Sequence, residues 1–279
     1  MSYLTVAEGK QIYFEHYPGS QPTVVLSHGY GMSGQVWANT VARLMDAGRA
    51  VVVYDHRCCG RSEQDFADVS IEALGDDIVA LVDHLKLASV VVNGWSLGGA
   101  VVMDAAGKLG DRLGDRLADR LAGVVLTGGA TPRYTQAADF PYGGQPADVE
   151  ATIVALRADR VNFLKALYFD GVFAGPVTED VKRWCWQIAL DASPGADASM
   201  LALANLDQRE TLKALRAPVL VCIGGKDGVL APDIARAAAE MAQDGRLLEM
   251  PECGHAPFLE DPETYHNALL AFIDEVSHA

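Results

Sequence analysis

The chain has 279 residues, 50% of them hydrophobic and 21% charged, and its 37 acidic against 22 basic residues give a formal charge of −15. Such a composition supports a substantial buried core and excludes a disordered chain, while the acidic balance opposes binding to nucleic acid or to an anionic membrane. No run of 18 uninterrupted apolar residues suggests a membrane span, and the opening MSYLTVAEGKQIYFEHY lacks the basic and apolar regions of a secretion signal, so the expected location is cytoplasmic.

Taken in chain order, residues 3–7 and the alternating QIYFEHY at 11–17 read as an antiparallel edge pair. Apolar runs follow: TVVLSHG (23–29), AVVVYDHR (50–57), SVVVNG (89–94), GVVLTGG (123–129), PVLVCIGG (218–225) and RLLEMPE (246–252). Most of these are continuous rather than alternating, as expected of strands buried on both faces of a parallel sheet. Helical patterns separate them at 35–46, 70–86, 97–112, 232–242 and 262–277. This alternation predicts an α/β sheet with helices on both faces.

Between 131 and 205 the rhythm stops. A loop rich in Pro, Gly and Gln leads into amphipathic patterns, VEATIVALRADRVNFLKALYF and EDVKRWCWQIALDAS. An insertion of this kind projects from the carboxyl edge of a sheet, where ligands bind. The expected organisation is therefore a core of 1–130 and 206–279 with a small helical cap at 131–205; the alternative is an unusually long helical crossover. Phe163, Tyr168, Trp184 and Trp186 would line a pocket there or simply pack in the cap's core. The repeat GDRLGDRLADRL at 110–121 reads as a helix lengthened by tandem duplication, with no function assigned.

Five cysteines, at 58, 59, 185, 222 and 253, match neither a disulfide framework nor a zinc site and read as reduced thiols. Cys253 with His255 would supply only two ligands of a metal site, too few without others nearby. No metal and no cofactor is expected.

The stretch VVVNGWSLGGAVV at 90–102 carries the chemistry. Ser96 follows a buried strand and precedes a helix, the context in which G-x-S-x-G marks a nucleophile rather than a plain glycine turn. A serine hydroxyl needs an imidazole base oriented by a carboxylate, and for this elbow both come later in the chain. Of seven histidines, only His255 lies in a loop directly after the last strand and before a terminal helix; the competing reading is a solvated loop histidine. His28 reads as structural. For the acid, Asp227 in GGKDGV ends the penultimate strand on the edge that bears Ser96; the competing reading is a turn-forming Asp-Gly. Oxyanion donors are expected from the backbone N–H groups of Leu97 and Tyr30, and Trp95 and Tyr30 are expected to shape the acyl pocket.

With those residues in place, the chain resembles the α/β-hydrolases over essentially its whole length. The resemblance is carried by HGYGMSGQVW (28–37), YDHRCCGRS (54–62), GWSLGG (94–99), GGKDGV (224–229) and GHAPFLEDPE (254–263). It implies a mostly parallel eight-stranded sheet flanked by helices, with a helical cap after the sixth strand, and a Ser-Asp-His triad. In relatives, the second segment reads D-x-R-G-x-G-x-S. Here Cys58 replaces the first glycine, while Asp55, Arg57, Gly60 and Ser62 remain in structural roles. More narrowly, the chain is similar to pimeloyl-ACP methyl ester esterases and to bacterial carboxylesterases of the haloperoxidase-like group. Acyl carrier proteins are acidic and this chain is too, so the expected substrate is a small-molecule carboxylic ester or lactone. The same triad can also perform perhydrolysis, haloperoxidase-like chemistry or carbon–carbon cleavage, and a ligand-binding receptor on a hydrolase scaffold is the rival of a different class. A homo-oligomer is left open.

Overall fold

The computed structural model describes residues 2–110 and 120–277. Eight strands form one sheet: β1 (Ser2–Thr5), β2 (Gln11–Tyr17), β3 (Ser20–Ser27), β4 (Arg49–Tyr54), β5 (Val90–Trp95), β6 (Leu121–Thr127), β7 (Val219–Gly224) and β8 (Gly245–Met250). Their order is β1-β2-β4-β3-β5-β6-β7-β8. The expected edge pair forms, with β1 antiparallel to β2 and β2 antiparallel to β4. The pairings from β4 through β3 to β8 are parallel.

Side chains alternate across a strand, so a strand covered on both faces is apolar along most of its length. In β3, Val25 joins the cluster packed by α2 (Ile71–His84) and α3 (Leu97–Gly110), while Val24 and Leu26 join the one packed by α1 (Ala38–Asp46). All three are fully buried, and burial of a Val or Leu side chain contributes about 1.5–3 kcal/mol. The uninterrupted runs in the sequence are thus two half-patterns, one per face. The Ser70 hydroxyl accepts from the Ala73 amide at 3.2 Å and caps α2. The repeat at 110–121 lies, except for its ends, outside the described residues.

The interval between β6 and β7 is helical. It contains α4 (Pro146–Ala158), α5 (Arg160–Ala166), a widened turn at Leu167–Gly171, α6 (Glu179–Leu190), α7 (Asp197–Ala202) and α8 (Arg209–Ala214). The run read as one amphipathic pattern breaks at Asp159, whose side chain caps α5. Tyr168 is buried, whereas Trp184 and Trp186 are partly exposed. Helices α9 (Pro232–Met241), α10 (Pro257–Glu260) and α11 (Pro262–Val276) complete the chain. Among the described residues, no helix is long and apolar enough to cross a membrane.

The turn after β4 keeps its structural residues at work. Asp55 accepts from the amides of Gly34 at 2.7 Å and Arg61 at 2.8 Å, and the Ser62 hydroxyl donates to the Asp55 carbonyl at 2.7 Å. Cys58 sits at φ 63°, the left-handed conformation that a glycine would adopt at roughly 1–2 kcal/mol less strain. The backbone has kept the turn and the cysteine fits it. Arg57 makes a two-pronged ion pair with Asp77 at 2.7 Å, with side-chain exposures of only 3% and 2%. Arg57→Ala should therefore cost about 3–5 kcal/mol in a denaturant melt, because it strands a buried carboxylate. The deficit should shrink toward acidic pH, where protonation of Asp77 removes that charge; an unchanged midpoint at neutral pH would refute the assignment.

Candidate active site

The sheet order reverses between β3 and β5: the chain winds outward to β4 on one side and to β6 on the other. At such a switch point the carboxyl ends of the two central strands diverge and leave a crevice. Gly29 and Tyr30 follow β3 there, and Ser96 follows β5. Ser96 is at φ 56°, a conformation seldom adopted by a side-chain-bearing residue. It is held by its amide donating to Thr127 O at 3.1 Å and its carbonyl accepting from Ala130 N at 2.8 Å. The flanking glycines are a steric necessity. A Cβ at Gly94 would stand 2.1 Å from Gly98 O, and one at Gly98 would stand 2.5 Å from the carbonyl oxygens of Ser27 and His28. The glycines therefore let the first turn of α3 lie directly on β3 and β5.

Asp227 and His255 meet as the chain order suggests. Asp227 Oδ2 and His255 Nδ1 are 2.7 Å apart, and both side chains are buried. The other oxygen, Oδ1, accepts from the amides of Val229 and Leu230, each at 2.8 Å, which fixes the carboxylate plane. With Nδ1 donating to the carboxylate, Nε2 is left to accept, and it is buried with no hydrogen-bond partner among the described residues. His255 also adjoins the turn that holds Ser96: a Cβ at Gly128 would stand 3.3 Å from Nδ1. Residues 127–130 thus touch Ser96 on one side and His255 on the other, bringing both to one edge. Because Nδ1 is committed to Asp227, the Cys253–His255 pair considered from the sequence has lost one ring nitrogen, and burial pushes the Cys253 thiol up to about 11.

The loop after β3 lies against the serine. A Cβ at Gly29 would stand 3.2 Å from the Ser96 Cβ. His28 is fully buried, accepts from His56 N through Nε2 at 2.9 Å, and so donates from Nδ1 to Gly29 O at 2.8 Å. Burial lowers its pKa to about 4, which keeps the ring neutral and this tautomer in place. In a planar trans peptide, C=O and N–H point in opposite directions. Capture of Gly29 O by His28 therefore turns the Tyr30 N–H the other way, and that amide has no acceptor among the described residues. The Leu97 amide opens α3, at the positive end of the helix dipole. His28 accordingly has the structural role read from the sequence.

Trp95 is placed differently from the expectation that it shapes the acyl pocket. It is 2% exposed and lies beneath the histidine loop, where Nε1 donates to His255 O at 2.8 Å. As the last residue of β5 it shares the face of Val91, opposite that of Val92 in the α2–α3 cluster, and its ring centroid lies 5.3 Å from that of Phe258. It braces His255 rather than offering a surface. Tyr30 is half-buried, and its hydroxyl donates to Asp197 at 2.5 Å.

Two buried carboxylates escaped sequence reasoning. Glu260 Oε2 accepts from Ala174, Gly175 and Gly254 amides at 2.9, 2.6 and 2.8 Å, and Oε1 accepts from Ala256 at 3.1 Å. It ties the His255 loop to the helical segment, as does His255 N donating to Val172 O at 2.7 Å. Its position five residues after His255 was the only available signal. Asp197, in DASPGADAS, offered none.

A family model described as the alpha/beta hydrolase family matches residues 24–268. The structure is similar to that of an esterase from Exiguobacterium antarcticum, with a TM-score of 0.90, 27% identity, and coverage of 98% of this chain and 99% of that one. In sequence, a bifunctional esterase/perhydrolase of Acinetobacter calcoaceticus is 26% identical, over 98% of this chain and 99% of its own. A pimeloyl-[acyl-carrier protein] methyl ester esterase of Stenotrophomonas maltophilia is 28% identical, over 94% and 96% respectively. A match of that extent, on a sheet of this order, leads to one conclusion: the chain belongs to the alpha/beta hydrolase family.

Proposed function

We propose that this protein hydrolyses a small-molecule carboxylic ester or lactone through Ser96, His255 and Asp227. The observation that carries the reading is the His255 ring, held by Asp227 at 2.7 Å through Nδ1 with Nε2 buried and unpartnered among the described residues, at the sheet edge bearing the Ser96 elbow. Ser96 Oγ attacks the ester carbonyl as its proton passes to His255 Nε2, and Asp227 stabilises the imidazolium. The tetrahedral oxyanion is held by the amides of Leu97 and Tyr30. Collapse breaks the C–O bond, and the proton on Nε2 goes to the departing alcohol. Water then gives its proton to Nε2 and attacks the acyl-enzyme, and Ser96 leaves reprotonated with the acid as product.

In this reading, residues 131–205 form a cap on a core of 1–130 and 206–279, supplying the roof of the substrate pocket. A cytoplasmic location accords with the five buried, free cysteines. Ester hydrolysis is supported by the similarity to esterases. The name of the Acinetobacter relative also favours a second reading, in which hydrogen peroxide takes the place of water and the product is a peracid.

The test offers p-nitrophenyl acetate, butyrate and octanoate with and without a serine-directed phosphonate. Many turnovers per chain, abolished by one equivalent of phosphonate, are the expected result. A single stoichiometric burst would support a ligand-binding receptor instead, and peracid formed on adding hydrogen peroxide would favour the second reading.

A further inference from the structure

Asp197 is the first residue of α7 and has no exposed surface. Its carboxylate collects three side-chain donors: Tyr30 Oη at 2.5 Å, Arg157 Nε at 2.8 Å and Arg160 Nη1 at 3.1 Å. Arg157 belongs to α4 and Arg160 to α5, so three helices of the segment between β6 and β7 converge on one phenol from the loop after β3. Arg160 extends the junction by donating from Nη2 to Ala192 O at 3.2 Å. Gly31 also meets this segment, since a Cβ there would stand 3.9 Å from the Ala192 side chain. Burial disfavours the charged form of Asp197, but the hydrogen bonds from Arg157, Tyr30 and Arg160 outweigh it and hold the carboxyl below its usual range. Burial and the Asp197 hydrogen bond push the Tyr30 phenol up, so it remains a donor.

Tyr30 is thus gripped at two points. On the backbone side, His28 holds the Gly29 carbonyl; on the side-chain side, Asp197 holds the hydroxyl. Between these grips lies the amide read above as an oxyanion donor. We propose that Asp197 is a positioning residue of the oxyanion hole, acting through the Tyr30 side chain, so that the hole is fully formed only while α4, α5 and α7 are seated on the core. The inference rests on the ester-hydrolysis reading. It adds a link by which a substrate that seats those helices also aligns the donor for its own transition state.

Charge and positioning predict opposite signs. Asp197→Asn leaves two guanidinium groups unbalanced near a developing negative oxygen, which by charge alone would raise the rate. Positioning predicts a fall, because a donor displaced by a fraction of an ångström loses much of its effect. Tyr30→Phe breaks the same hydrogen bond and changes no charge, so it serves where Asp197→Asn does not fold.

The experiment measures kcat and KM of both single variants and of the double variant on p-nitrophenyl butyrate. It also measures affinity for an alkylboronic acid, whose serine adduct mimics the tetrahedral intermediate. The expected result is a fall in kcat of about 10- to 100-fold with KM within about threefold, matched by boronate affinity. The double variant should be no worse than the poorer single one, since both remove one interaction. A lowered melting temperature with unchanged kcat and boronate affinity, or a raised kcat in Asp197→Asn, would overturn the proposal while leaving the esterase reading intact. Absence of turnover in the unaltered protein would overturn both.

Discussion

Replacing Ser96 by alanine should reduce ester turnover by about 10⁴- to 10⁶-fold, the range seen when the nucleophile of a serine triad is removed and only binding and the oxyanion donors remain. The reason is local. Ser96 is half-buried at the switch point of the sheet, and its backbone is fixed by Thr127 and Ala130 rather than by its hydroxyl. Alanine keeps the Cβ and loses only Oγ, so the elbow and the thermal midpoint should persist. Initial rates with p-nitrophenyl butyrate, together with a circular-dichroism melt, separate loss of chemistry from loss of fold. If Ser96→Ala retained more than about a hundredth of the rate, a different nucleophile would have to be sought.

Asp227→Asn should lower kcat by about 10⁴-fold, because an amide reverses the tautomer of the histidine it holds. The geometry makes this substitution unusually clean. Asn can keep its oxygen in the place of Oδ1, accepting from Val229 and Leu230, and this leaves the NH₂ group facing His255 Nδ1. The ring must then accept at Nδ1 and carry its proton on Nε2, where it cannot take the serine's. Stability should change little, since the two backbone hydrogen bonds survive. Affinity for a boronic acid should fall too, because the adduct is stabilised by the imidazolium. Nearly normal kcat in this variant would show that another carboxylate orients the histidine, and Glu260, bound to the same loop, would be the one to replace next.

Much of the architecture was legible from residue order. Runs such as TVVLSHG and SVVVNG could be read as buried strands because both faces of the sheet are covered and their centres are continuous β-branched and leucine residues. The turn at Ser96 was legible because its sharpest demand is local, the contact that forces glycine at 94 coming from Gly98 and Gly99, whereas Gly98 is forced by Ser27 and His28, distant in the chain. Helix boundaries were less sharp. The pattern over 149–169 looked continuous, and only the cap at Asp159 divides α4 from α5. The misplacement of Trp95 has a similar origin. Adjacency to Ser96 suggested a pocket wall, but alternation along β5 sends its ring to the other side, under His255.

By itself, the sequence determined the α/β layering, the strand and helix order, and which serine, histidine and aspartate are candidates, because periodicity and turn chemistry act between near neighbours. Only the tertiary structure decided that Asp227 reaches His255 at 2.7 Å, that His28 turns the Tyr30 amide, and that Glu260 and Asp197 bind the helical segment to the two loops of the site. Those contacts join residues as many as 167 positions apart, and many of them end on backbone atoms. A backbone amide is the same in every residue but proline, so no pattern of side chains could announce which one a buried carboxylate would hold.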